Sequence, residues 1–89
     1  MRAFITVIGK DTVGILAKVS TKCSLYDINV TEVTQSVLQG MFAMIMFVDI
    51  SNSKIKIADL SDELNVLGDE LGLKIHVMHE DIFNSMHRI

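Results

Sequence analysis

Apolar positions along the chain switch between two periods, and the switches mark the elements. Ala3-Phe4-Ile5-Thr6-Val7-Ile8 is β-branched and aromatic, and Gly9 closes it. Both faces of this run are apolar, which predicts a central first strand. After the break Gly9-Lys10-Asp11-Thr12-Val13-Gly14, apolar residues return at helical spacing as Leu16, Val19, Cys23 and Tyr26, with Lys18 and Lys22 on the other side. This predicts an amphipathic helix over about 13–26, with Asp11 or Thr12 as N-cap and Asp27 at its end. Ile28 to Leu38 alternates and is rich in Val, Ile and Thr; Gln39-Gly40 is a turn signal, and Met41 to Ile50 is strongly apolar. Two such runs across a glycine turn predict a hairpin. Ile57, Leu60, Leu64, Leu67 and Leu71 then follow at spacings of 3, 4, 3 and 4, the clearest helical signal in the chain, and Gly72 suits its C-cap. Leu73, Ile75 and Val77 alternate with Lys74 and His76, giving a fourth strand. Asp81 can cap a short C-terminal helix carrying Ile82, Phe83, Met86 and Ile89.

The order is β-α-β-β-α-β plus a tail. Crossover handedness favours a four-stranded antiparallel sheet with both helices on one face, an α+β ferredoxin-like sandwich. The expected division is a domain over 1–80 and a helical tail over 81–89. Strand three has Phe42, Met44, Met46 and Val48 on one face and Ala43, Ile45 and Phe47 on the other. Helices cover only one of these, so the second face should meet a partner sheet, a partner strand or the C-terminal tail. Strand two, expected at the sheet edge, carries a single charge, Glu32, and is poorly protected against pairing. A homodimer is expected.

Composition narrows the function. At 89 residues the chain makes one domain. Eight basic and 11 acidic residues give a charge of −3, with the basic ones scattered singly, so neither nucleic acid nor an anionic membrane is an expected partner. Cys23 is alone, which fits a reducing compartment, and no signal-peptide layout opens the chain; a cytoplasmic protein is expected.

The stretch Gly9-Lys10-Asp11-Thr12-Val13-Gly14-Ile15-Leu16-Ala17 resembles the opening of an ACT domain: a strand, an Asp or Asn, two residues, a Gly, then an apolar pair starting the helix. Ile28-Asn29-Val30 sits where that family has an Ile-Asn-Ile-like start of the second strand. The resemblance runs from Ala3 to about Met78. Phe83 to Ile89 is also similar to the end of small stand-alone bacterial ACT proteins. The resemblance implies a regulatory module, not an enzyme, that binds an amino acid or other small metabolite between two subunits, with no cofactor and with a separate enzyme or regulator as a possible further partner. Carried over by position, the implied site residues are Asp11, Thr12, Val13, Gly14, Ile15 and Leu16 of the loop and helix start, and Asn29 of a neighbour's second strand. Val13 stands where many ACT loops have Pro, and Gly9 where some amino-acid-binding members have His. Physical chemistry supports the placement: helix-start N–H groups favour a carboxylate, Gly14 allows close approach, Asp11 accepts from an ammonium, and Asn29 offers donor and acceptor. The same residues serve equally as cap, turn and strand start. A purely structural dimerisation domain is the alternative.

Other signals are weaker. His76 and His79 are three apart on a strand, so they point to opposite faces and do not share a metal without a bend. The glycine loop lacks the Lys-Ser/Thr of a phosphate-binding loop. Cys23 reads as core, the acidic residues of the second helix as its solvated face, and Met41, Met44 and Met46 as strand packing. An acylphosphatase-like reading lacks a loop Arg, and RNA binding on the sheet lacks basic residues.

Overall fold

A computed structural model describes residues 1–10 and 12–86. Its elements are β1 (Arg2–Lys10), α1 (Ile15–Leu25), β2 (Asn29–Leu38), β3 (Met41–Asp49), α2 (Ile57–Leu71), β4 (Leu73–His79) and α3 (Glu80–Met86). The sheet is antiparallel with order β2-β3-β1-β4, so β1 is central and β2 is an edge, as the apolar pattern requires.

Register sorts the side chains. Ala3, Ile5 and Val7 share the inner face with Phe42, Met44, Met46, Val48, Leu73 and Ile75, and all join one core with Ile15, Val19, Cys23, Leu60 and Leu64 of the helices. Both helices therefore lie on this face. The β2–β3 turn has Gln39 at φ 54° and Gly40 at φ 79°. Two left-handed residues match the twist of a hairpin, and glycine adopts that region at no steric cost.

Local details correct the sequence reading of α1. It starts at Ile15, with Gly14 at the N-cap position in the left-handed region (φ 85°) and no side-chain cap bond. The loop uses Thr12 to Gly14 to turn away from β1, so Thr12 lies too far upstream to cap; Asp11 lies outside the described residues. This start sets the helical phase so that Ile15, Val19 and Cys23 are buried and Leu16 is partly exposed. At the far end Asp27 (φ 57°) closes a Schellman motif: Ile28 N–H donates to Cys23 O at 3.0 Å and Asp27 N–H to Ser24 O at 3.2 Å. β2 consequently begins at Asn29, one residue later than Ile28.

The cap of α3 is also corrected. The chain passes from β4 straight into α3, and Asp81 N–H donates to His79 Nδ1 at 3.0 Å. His79 fills the capping role expected of Asp81, because the helix begins two residues earlier, at Glu80. α3 packs against β1 and β4. Arg2, on the outer face, donates to Glu80 Oε1 from Nη2 at 2.8 Å and from Nε at 3.2 Å. Phe4, also on the outer face, is only 3% exposed and meets Phe47 edge-on at 4.7 Å between ring centroids.

The helices are tied to each other by a polar cluster. Tyr26 donates its phenol proton to Glu63 Oε2, and Lys22 Nζ reaches Glu63 Oε1 at 3.4 Å. The hydrogen bond to Glu63, then burial, then the Glu63 charge raise the Tyr26 phenol above its ordinary value. A folded phenol that holds its proton to higher pH than the unfolded one adds stability in full below the ordinary phenol range. That contribution is lost as pH rises through the folded value. Tyr26 is the only tyrosine and there is no tryptophan. Phenolate absorbance therefore reports this one group. Its midpoint is expected above that of the unfolded chain and to fall back in Glu63→Gln; coincident midpoints in wild type and Glu63→Gln would remove Glu63 as the cause.

Candidate functional site at the two ends of the first helix

The implied site residues fall into two groups. Lys10 pairs with Met41, and Met41 pairs with Leu38, so the loop after β1 lies at the hairpin end of the sheet. Thr12, Val13 and Gly14 are there with the start of α1. Val13 is 93% exposed, whereas the Ile15 side chain is 3% exposed and belongs to the core. Only the backbone of Ile15 can face a ligand. The first intrahelical bond runs from Lys18 N–H to Gly14 O at 3.0 Å. The N–H groups of Ile15, Leu16 and Ala17 precede it and have no intrahelical partner. They sit at the positive end of the helix dipole, where a carboxylate is favoured. A side chain at position 14 would have to hold the left-handed backbone that Gly14 adopts freely.

Asn29 lies at the opposite end. It pairs with Asp49, the partner of Arg2, at the far edge of the sheet from the hairpin. Within one chain, α1 therefore separates Asn29 from the glycine loop, and the fold does not bring the two groups together.

A groove surrounds Asn29 that sequence reasoning did not single out. Its volume is about 650 Å³, and Ser20, Ser24, Asp27, Ile28, Val30 and Asn52 line it with Asn29. Ser20 and Ser24 come from the last turns of α1, four residues apart and hence on one face. The Ser20 hydroxyl donates to Leu16 O at 2.7 Å, which leaves its oxygen as an acceptor toward the groove. Asp27 Oδ2 holds Lys54 Nζ at 2.9 Å, and Lys54 N–H donates to Tyr26 O at 2.9 Å, fixing the β3–α2 loop to the α1–β2 turn. The Asp27 hydrogen bond and charge raise the Lys54 ammonium above its ordinary range. The available signal was the Ser-x-x-x-Ser spacing ahead of Asp27 and Asn29; the contribution of Asn52 from a distant loop had none.

Gly9, Cys23, His76 and His79 were also singled out in the sequence. A Cβ on Gly9 would lie 2.6 Å from Leu73 Cδ2 and 3.1 Å from Gly72 O. The close approach of β1 and the start of β4 leaves a side chain there short of room: the Leu73 side chain must turn aside and the Gly72 carbonyl must give slightly. Burial pushes the Cys23 thiol up to about 11, so the thiolate needed of a nucleophile is scarce at neutral pH. His76 pairs with Thr6 on the outer face, and His79 pairs with Ala3 on the inner-face register, so they diverge. Among the described residues no three His, Cys, Asp or Glu side chains are grouped to hold a metal, and no helix is long and apolar enough to cross a membrane. His87 lies outside the described residues.

The family model described as ACT domain matches residues 2–78. The chain belongs to the ACT domain family. Its relatives include the UPF0237 protein lin0537 of Listeria innocua, 46% identical over 89 residues and covering 100% of both chains. An ACT domain protein from Streptococcus pneumoniae superposes with a TM-score of 0.81 at 37% identity, covering 93% of each chain. The regulatory subunit of aspartate kinase from Thermus thermophilus superposes with a TM-score of 0.64 at 25% identity, over 85% of this chain and 49% of that one. ACT domains are generally regulatory modules that bind small molecules, and the ferredoxin-like sandwich read from the element order is the fold of this ACT domain.

Proposed function

We propose that this ACT domain is a non-catalytic sensor that binds an amino acid at the interface of a homodimer. The observation that carries the reading is the separation of the glycine loop from Asn29 across α1. β2 is a sheet edge of ten residues with Asn29 at one end and Leu38 at the other. Antiparallel pairing of β2 with its copy about a two-fold axis sets Asn29 of one subunit beside Leu38 of the other. Leu38 lies at the hairpin end, which also carries the glycine loop. The same operation that extends the sheet therefore turns two half-sites into two whole ones. The carboxylate of the amino acid meets the N–H groups of Ile15 to Ala17, with Thr12, Val13, Gly14 and Leu16 around it. Asn29 of the other subunit takes the ammonium group, with Asp11 as a second acceptor.

Ligand binding at such an interface couples to dimer affinity, and that coupling is the regulatory output toward a separate enzyme or regulator. The lone Cys23 supports a reducing, cytoplasmic setting, where metabolite pools are sensed. For a ligand this small, affinities from roughly micromolar to millimolar are expected.

Isothermal titration against the twenty amino acids tests the reading, with Asp11→Ala and Asn29→Ala as controls and sedimentation as the measure of assembly. Saturable heat that disappears in both variants, on a dimer, is the expected result. A monomer mass independent of concentration removes the proposal. A dimer silent toward the whole panel favours a structural interaction domain, for which Ile8, 52% exposed on the outer sheet face, is the specific observation.

A further inference from the structure

The groove beside Asn29 has a polar rim. Its rim is rich in hydrogen-bonding groups at neutral charge. Ser24, Asn29 and Asn52 contribute a hydroxyl and two carboxamides, each able to donate and accept. Ser20 contributes an acceptor, because its proton is already committed to Leu16 O. The charged groups nearby cancel: Asp27 and Lys54 hold each other at 2.9 Å. The C-terminal end of α1, whose dipole disfavours anions, points at the same rim. Asp27 occupies a left-handed conformation usually left to glycine, which sets its carboxylate on the wall of the groove instead of leaving bare backbone there.

We infer that this groove is the specificity pocket of the sensor and that it selects amino acids with a neutral hydrogen-bonding side chain, a hydroxyl or a carboxamide. The inference rests on the dimeric amino-acid site proposed above and adds the identity of the accepted class. An aliphatic side chain in the groove would strip water from Ser24, Asn29 and Asn52 and return no hydrogen bond. An acidic one would meet the carbonyl end of α1, and Lys54, held by Asp27, offers it no free cation. A hydroxyl or carboxamide replaces the displaced water bonds directly. The discrimination comes from polar groups of the protein that are left unpaired by the wrong ligand, which is the more selective way to read a small molecule.

Titration of the full chain with serine, threonine, asparagine and glutamine, against alanine, valine, leucine and aspartate, tests it. The polar neutral set is expected to bind about tenfold or more tightly than alanine and valine, the scale of one or two net hydrogen bonds. Ser24 and Asn52 are surface residues, and neither belongs to the carboxylate half of the site. Ser24→Ala with Asn52→Ala is expected to bring serine and asparagine to within about threefold of alanine measured on the same variant. Valine or leucine binding as tightly as serine, with the double variant unchanged, overturns the specificity pocket but leaves the amino-acid sensor standing. Silence toward all eight, with saturable heat from another of the twenty amino acids, overturns the pocket alone; silence toward all twenty overturns both.

Discussion

Leu64→Ala is expected to lower the unfolding free energy by about 3–4 kcal/mol. Leu64 is fully buried, on the face of α2 that enters the shared core with Leu60. Sheet and helices close around it from both sides, so little can relax into the space. The loss combines the missing hydrophobic transfer with a cavity that stays open. A chain of this size holds about 4–13 kcal/mol in total, so one substitution removes a large share. Urea unfolding followed by circular dichroism measures it, as a lower midpoint at unchanged slope. Leu64→Met, which nearly conserves volume, should cost less than about 1.5 kcal/mol. A loss below about 1 kcal/mol for Leu64→Ala would mean that α2 collapses onto the sheet and fills the space.

Gly68→Val is expected to cost about 3 kcal/mol, from overpacking alone. Gly68 lies buried in α2 where that helix crosses β4. A Cβ there would sit 2.7 Å from Leu73 O and 3.2 Å from Ile75 Cγ1. The nearer atom is a backbone carbonyl, and β4 is held in register against β1, so the carbonyl cannot swing aside. The opposing effect is propensity, since alanine exceeds glycine in a helix by about 1 kcal/mol. In Gly68→Ala the two terms compete, and the contact wins because the helix as a whole must retreat. A net loss of about 1–2 kcal/mol is expected there. Asn65→Ala on the exposed side of the same helix should be neutral or slightly stabilising, which separates propensity from contact. If Gly68→Ala were to raise the melting temperature, α2 would be shown to sit on β4 with slack.

The candidate site was legible in unequal parts. The glycine loop and Asn29 stood out because a resemblance marks them, and Gly14 does adopt the left-handed backbone that only glycine takes freely. The sequence offered Asp11 or Thr12 as cap, yet the cap position falls on Gly14 and the helix begins at Ile15, because the reversal after β1 consumes Thr12 and Val13. The phase of α1 followed from that start, which moved Ile15 into the core and left only its N–H for chemistry. Asp27 was read as a helix stop, correctly, but its left-handed backbone was not visible, since glycine is the usual residue there. Asn52 joins the groove from a loop more than twenty residues away, and no local pattern announces such a contact.

While β1 and β3, apolar on both sides, left their inner face to the tertiary structure, the sequence by itself determined the element order, the edge position of β2 and the packed face of α2. These follow from period alone: a residue's side of a strand or helix is set by its local backbone, and burial of the apolar side is worth far more than any alternative register. Only the tertiary structure decided which loop residue caps α1, why Gly9 and Gly68 lack side chains, and which polar residues share a groove. Those depend on how closely two distant segments approach, a distance set by the packing of the whole core and written in no single stretch of chain.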